Sequence, residues 1–132
     1  MLNTIDSISK KSKAKITYDG LLSGKEYIKF IQSCDIGLST QNPNAKFNDT
    51  SFPSKILSYM ANGLRVVSIR IPSIEKSAVG KFMYYYDEQT PENIAKAIKS
   101  IDFSEEYDSR KTIGVLDKAF ICDLKKMLKG VE

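Results

Sequence analysis

Apolar positions along this chain fall into short runs and helical stripes, separated by Gly, Pro and polar clusters. Leu2 to Ser12 predicts a helix that ends in a basic cluster. Lys15-Ile16-Thr17-Tyr18 predicts a short strand, cut off by the turn pair Asp19-Gly20. Ser23-Gly24-Lys25-Glu26 has the spacing of a capping box, and Tyr27, Phe30, Ile31 and Cys34 continue one helical face behind it. Asp35-Ile36-Gly37-Leu38-Ser39 is short and apolar enough for a buried parallel strand. From Thr40 to Ser51 the chain turns polar, through Asn42, Pro43, Asn44, Asn48 and Asp49. Loops of that length in a small domain tend to carry function.

A helix then opens, with Pro53 in its first turn and Ile56, Leu57 and Met60 as its apolar stripe. Gly63 supplies a left-handed stop, and Arg65-Val66-Val67-Ser68-Ile69 is β-branched enough to be a strand. Pro72-Ser73 predicts a break, Ile74 to Val79 a short helix ended by Gly80, and Phe82 to Tyr86 a strand. Thr90-Pro91-Glu92 starts a helix with Ile94, Ala97, Ile98 and Ile101 on one side. Ile113, Leu116, Phe120, Leu124, Met127 and Leu128 define a long amphipathic C-terminal helix. Strands alternating with helices predict an α/β domain spanning residues 1–132, its parallel sheet of about four strands covered by helices on both faces.

Composition narrows the chemistry. Hydrophobic residues at 42% and charged residues at 27% are an ordinary globular mixture, and no apolar run approaches the length of a membrane span. Cys34 and Cys122 lie in apolar helical patterns without metal-ligand spacing, so buried free thiols in a reducing, cytoplasmic setting are expected. The chain has no histidine, which removes Ser-His and Cys-His nucleophile schemes and most zinc sites. Asp87-Glu88 reads as a turn rather than a metal clamp, so no metal is expected. The net charge of +4 suits weak attraction to nucleotides or an anionic membrane surface, whereas sequence-specific nucleic-acid reading is not indicated. Most lysines read as solvated surface. Lys118, Lys125, Lys126 and Lys129 flank the C-terminal apolar stripe. Packing of that stripe onto the domain is the expected outcome, with contact to an anionic membrane as the alternative.

A helix leaving a hydroxyl-rich loop offers free amides and the positive end of a dipole to a phosphate. Thr50, Ser51 and Ser54 would add hydroxyls there, and Lys55 a mobile charge. The plainer reading is ordinary serine capping with Lys55 on the surface. Asp19-Gly20 is likewise either a simple turn or part of a binding loop. Glu75 is an acid near the strand ends that would otherwise only favour a helix dipole.

The stretch from Thr50 to Ser68 resembles the donor-binding motif in the C-terminal domain of GT-B fold glycosyltransferases, the family 4 type in particular. There a loop leads into a helix ending in a string like Glu-Ala-Met-Ala-x-Gly-x-Pro-Val-Val. Ser58-Tyr59-Met60-Ala61-Asn62-Gly63-Leu64-Arg65-Val66-Val67 stands in its place here. The resemblance runs from about Ile16 to Ile101. It implies a Rossmann-like sheet belonging to a larger GT-B enzyme, here without its first strand and the separate N-terminal acceptor domain. It implies metal-independent transfer of a sugar from a nucleoside diphosphate sugar to a hydroxyl acceptor, with no cofactor beyond that donor. Bacterial surface polysaccharide assembly, in the cytoplasm or peripherally at the inner membrane face, is the implied setting.

Carried over residue by residue, Gly20 and Leu21 would lie against the nucleotide base. Thr50, Ser51, Phe52, Ser54, Lys55 and Ser58 would meet the diphosphate, sugar and ribose. No catalytic residue is assigned. The chain departs from the family at its paired glutamates, eight positions apart, whose places are taken by Thr50 and Ser58. A serine hydroxyl binds a ribose hydroxyl more weakly than a carboxylate does, and Asp49 is the nearest acid to Thr50. A non-catalytic α/β nucleotide-binding or protein-interaction module is therefore the alternative.

Overall fold

Three short parallel strands carry the architecture. The structure, a computed structural model, describes residues 2–49 and 51–130. Strands β1 (Ile36–Ser39), β2 (Arg65–Ile69) and β3 (Tyr84–Tyr86) form an open sheet in the order β1-β2-β3. Gly37 pairs with Val66 and Ser39 with Ser68, while Val67 pairs with Tyr84 and Ile69 with Tyr86. Val66, Val67, Ser68 and Ile69 are each 0% exposed. Successive strand residues point to opposite faces, so both faces of β2 are covered.

Helices α1 (Leu2–Lys11), α2 (Gly24–Gln32), α3 (Ser54–Ala61), α4 (Pro72–Glu75), α5 (Pro91–Lys99) and α6 (Ser109–Lys129) complete the chain. Ile56 and Met60 of α3, Ile74 of α4 and Ala97 of α5 meet the β2 side chains in one core with Ile71, Val79, Met83, Tyr86 and Ile101. Thr90 caps α5 through Oγ1, which accepts from the Asn93 amide at 3.3 Å. Gly63 ends α3 at φ +90°. The Gly63 amide donates to the Met60 carbonyl and the Leu64 amide to the Tyr59 carbonyl, both at 3.0 Å. This pair of bonds is a Schellman closure, and only glycine takes its left-handed residue without strain.

Several expectations are corrected. Among the described residues the sheet has three strands, not four, because residues 15–18 take no regular structure and do not join it. Ile16 is half-buried, held by a bond from Ser9 Oγ to its carbonyl at 3.4 Å, and Tyr18 is 55% exposed. One half-buried isoleucine removes too little apolar area from water to offset the ordering of a further strand. Ser23 makes no side-chain cap, and α2 starts on backbone bonding, the Tyr27 amide to the Ser23 carbonyl. Pro53 sits at the N-cap of α3, one residue before the first turn. Pro72 starts α4 instead of breaking the chain, since its fixed φ suits a first helical residue. Residues 80–82 coil into a 3₁₀ turn, which shortens β3 to Tyr84–Tyr86.

Helix α6 is firmly held only at its start. Asp108 caps it, accepting from the Lys111 amide at 3.0 Å. The Arg65 guanidinium lies between the rings of Phe103 at 5.0 Å and Tyr107 at 4.8 Å, and donates to the Glu105 carbonyl at 2.8 Å. Cation–π contacts of this kind are worth about 0.5–2 kcal/mol. Arg110 donates to the Asn62 carbonyl at 3.0 Å. Ile113 and Leu116 reach the core, but Phe120, Met127 and Leu128 stand 60–65% exposed. The expected packing of the whole stripe onto the domain is thus met by its first two turns alone. Cys122 is exposed and Cys34 half-buried, so neither is the buried thiol expected, Cys122 because it rides on the projecting part.

Two outcomes test this packing. A Cβ at position 37 would overlap the ring of Tyr59. Gly37→Val should therefore cost about 1–3 kcal/mol, read as a lower urea midpoint with an unchanged slope. Burial is the main cause that raises the phenol pKa values of Tyr59, Tyr85, Tyr86 and Tyr107 above 10.0. Phenols of the unfolded chain ionise at about 10 while these stay protonated in the fold. Their contribution to stability is present below that pH and lost as pH climbs through the raised values. Urea titrations above pH 10 should show the fall, and a tyrosinate absorbance titration with all tyrosines ionising together at the ordinary value would refute it.

Candidate functional site

The start of α3 opens into a cleft of about 430 Å³ lined by Leu38, Ser39, Thr40, Gln41, Phe52, Pro53, Ser54 and Lys55. Its two walls follow directly from chain direction. β1 ends at Ser39, and the chain carries on across the carboxyl rim of the sheet into the polar loop. α3 returns toward the start of β2, so it runs against the strands and brings its amino end to the same rim.

Pro53, at the N-cap, has no side-chain bond to give, so hydroxyl capping from that position is not formed. The Ile56 amide is used by the Pro53 carbonyl at 3.1 Å. The Ser54 and Lys55 amides precede it in the first turn, where a helix has no intrahelical acceptor to offer. Both side chains line the cleft and are exposed. The electrostatic outcome is a positive helix end beside one ammonium group, with no acidic side chain among the described residues that line the cleft.

The opposite wall is built by hydrogen bonds. Asn48, 4% exposed, accepts at Oδ1 from Gln41 Nε2 at 2.9 Å and donates through Nδ2 to the Asn42 carbonyl at 2.7 Å. That buried amide folds the loop back upon itself. Gln89 Nε2 donates to the Thr40 carbonyl at 2.8 Å, and the Tyr86 hydroxyl donates to Gln89 Oε1 at 3.0 Å. The chain leaving β1 is thereby tied to the chain leaving β3. Burial raises the Tyr86 pKa, against the opposing bond to Gln89, so the phenol stays a donor at neutral pH.

Next along the rim, Arg70 bonds Asp87 Oδ1 at 2.8 Å and Glu75 Oε1 at 2.9 Å, with its guanidinium 4.4 Å from the Tyr85 ring. The Asp87 bond is the main cause that raises its pKa, opposed by partial burial. Glu75 is therefore engaged by Arg70 and does not reach into the cleft as a lone acid.

Of the residues singled out from sequence, Phe52, Ser54 and Lys55 come together in the cleft. Ser51 precedes them on the exposed loop. Ser58 lies one turn along α3 on the side of Ser54, half-buried, its carbonyl accepting from Asn62 Nδ2 at 2.8 Å. It is not a lining residue. Gly20, at φ +75°, and Leu21, 98% exposed, line a separate hollow of about 350 Å³ with Thr17, Tyr18, Tyr27 and Phe30. Thr50 lies outside the described residues.

Thr40, Gln41 and Gln89 were not singled out individually, and Asn48 was named only as one of the polar residues of the long loop. The polar pair directly after a buried strand was the available signal for Thr40 and Gln41. Nothing in the sequence marked Gln89. Among the described residues, no group of three or more histidine, cysteine or carboxylate side chains comes together to hold a metal. No protein-family model matches the chain, and neither a curated protein nor a solved structure matches it.

Proposed function

We propose that this chain is a Rossmann-like donor-binding domain of a GT-B type glycosyltransferase, whose ligand is a nucleoside diphosphate sugar and whose reaction is sugar transfer to a hydroxyl acceptor. One observation carries the reading: the amino end of α3 opens on a cleft at the carboxyl rim of the sheet, with Lys55 at its mouth. Ligands of open parallel sheets sit at that rim. In this reading the Ser54 and Lys55 amides receive the diphosphate, and Lys55 Nζ adds a point charge. Thr40, Gln41 and the Ser54 hydroxyl supply polar contacts to the sugar, and Phe52 gives an apolar surface.

Transfer then needs no metal. The leaving diphosphate gains charge as the glycosidic bond breaks, and donors already aimed at it stabilise that charge without reorganising. A cytoplasmic setting belongs to the same proposal.

A specific feature also supports a second reading, a nucleotide-binding module without turnover. Among the described residues, the cleft lining holds no carboxylate to grip ribose hydroxyls or to assist an acceptor, and Ser58 stands where the family carries a glutamate.

Titration of the ¹⁵N-labelled chain with UDP, GDP and ADP sugars tests the proposal. Amide shifts should concentrate at residues 39–41, 52, 54 and 55, with millimolar affinity for the preferred base. Lys55→Ala should weaken binding by about three- to tenfold, the loss of one exposed charge-assisted contact. Absence of shifts at those residues with every nucleotide rules out both readings. Shifts at those residues are expected under both readings, since the donor domain alone lacks its acceptor half; release of nucleoside diphosphate in the presence of a hydroxyl acceptor selects transfer over the binding module.

A further inference from the structure

Helix α6 holds a feature that donor binding does not use. Its apolar side chains recur at Ile113, Leu116, Phe120, Leu124 and Met127, with Ile121 and Leu128 beside them, a stripe covering roughly 140° of the helix at 100° per residue. Ile113 and Leu116 pack on the core. Beyond them the same stripe is bare: Phe120 is 65% exposed, Met127 63% and Leu128 60%, with Ile121 and Leu124 also exposed. Among the described residues, no helix is long and apolar enough to cross a membrane, so α6 is a surface helix and not a span.

Charge tells what fits the stripe. The helix carries six basic residues and two acidic ones, a net +4. The chain as a whole holds 20 basic and 16 acidic residues, which leaves 14 of each sign elsewhere. Its entire excess of positive charge therefore sits on α6. Lys111, Lys118 and Lys125 follow one another at seven-residue intervals, with Lys129 next, and form a row along one border of the apolar stripe. Such lysines can lay their methylenes on an apolar layer and raise their ammonium groups to its charged boundary. Of the two acids, Asp123 sits on the other border, 4.0 Å from Lys126, and Asp117 falls within the arc of the stripe, one turn before Phe120 and ahead of the projecting residues.

A second copy of this helix fits less well. A paired coiled coil keeps apolar residues at alternating steps of three and four; following Ile113, Leu116 and Phe120, that series next meets Asp123, then Met127 and then Gly130, so two of its last three positions are not large apolar residues. The stripe follows the 3.6-residue period of a helix lying on a broad apolar surface instead.

We propose that the projecting half of α6 is a membrane-surface anchor that lies on an anionic lipid leaflet, with Phe120, Leu124, Met127 and Leu128 inserted and the row Lys118, Lys125, Lys129 facing the headgroups. The anchor is independent of the cleft, and its test needs no nucleotide.

Co-sedimentation of the 132-residue chain with vesicles of phosphatidylcholine, with and without phosphatidylglycerol, reads it out directly. Binding is expected to the anionic vesicles only, and to weaken as salt rises. The double variant Phe120→Asp/Met127→Asp should lose about tenfold or more of its partitioning. Its circular dichroism and unfolding midpoint should stay unchanged, because both side chains are already in solvent. Replacing Lys118, Lys125 and Lys129 by alanine should lower partitioning about a hundredfold at low salt. No binding to anionic vesicles, equal binding to neutral ones, or undiminished binding by the Phe120→Asp/Met127→Asp variant overturns the proposal. Self-association abolished by that variant, without vesicle binding, overturns it in favour of a second copy.

Discussion

The three-residue turn Asn62-Gly63-Leu64 fixes the geometry on which everything else depends. It ties the carboxyl end of α3 to the start of β2 within two hydrogen bonds of a Schellman closure. A helix so tied must run back against the strand it feeds, and its amino end then has only one place to go, the carboxyl rim of the sheet. Burial reinforces the arrangement. Ile56 and Met60 of α3 and the central strand residues are fully removed from water. A fully buried aliphatic side chain is worth about 1.5–3 kcal/mol, so sliding α3 along the sheet would cost more than any single loop contact could return. The bare glycine at Gly37, under the Tyr59 ring, allows the helix to sit that close.

Asn62 extends the influence of the turn in three directions. Its side-chain oxygen accepts from Gln32 of α2 at 3.1 Å, its amide donates to Ser58 of α3, and its carbonyl accepts from Arg110 of α6. Arg65, one residue beyond the turn, holds the loop leading to α6 between two aromatic rings. The helix that makes the cleft and the helix that leaves the domain are thus fastened to one short segment. A change at Asn62 would reach both, although neither cleft nor exposed stripe includes it.

What the sequence disclosed follows from which forces act locally. α3, β2 and α5 were legible because their apolar spacing, their caps and stops, and their burial agree: Gly63 at the stop, Thr90 at the cap, Val66 and Val67 in the core. The strand expected at residues 15–18 had β-compatible residues but no buried partner, and pairing, unlike propensity, is a long-range property. The long C-terminal stripe read as core because periodicity reports amphipathicity without saying what lies opposite. Half of it meets the domain and half meets water. At the cleft, Ser54, Phe52 and Lys55 were readable from a loop feeding a helix. Gln89 was not, since its bond to the Thr40 carbonyl spans 49 residues and depends on β1 and β3 ending at one rim.

The distribution of charge ties the cleft to the rest of the surface. At the cleft, one lysine and a helix end face a lining without acids among the described residues, which favours an anion but provides little to hold neutral hydroxyls tightly. The other rim cation, Arg70, is committed to Asp87 and Glu75 and packed on Tyr85, and two exposed ion pairs of this sort contribute little stability. Their effect is positional. By pairing with both carboxylates beside the sheet rim, Arg70 offsets one of their two negative charges and weakens the local repulsion that an incoming diphosphate would otherwise meet. An exchange of Arg70 for a neutral residue would thus act on anion affinity through Asp87 and Glu75 without touching the ligand. Such an effect would be strongest at low salt, where two uncovered carboxylates are least screened.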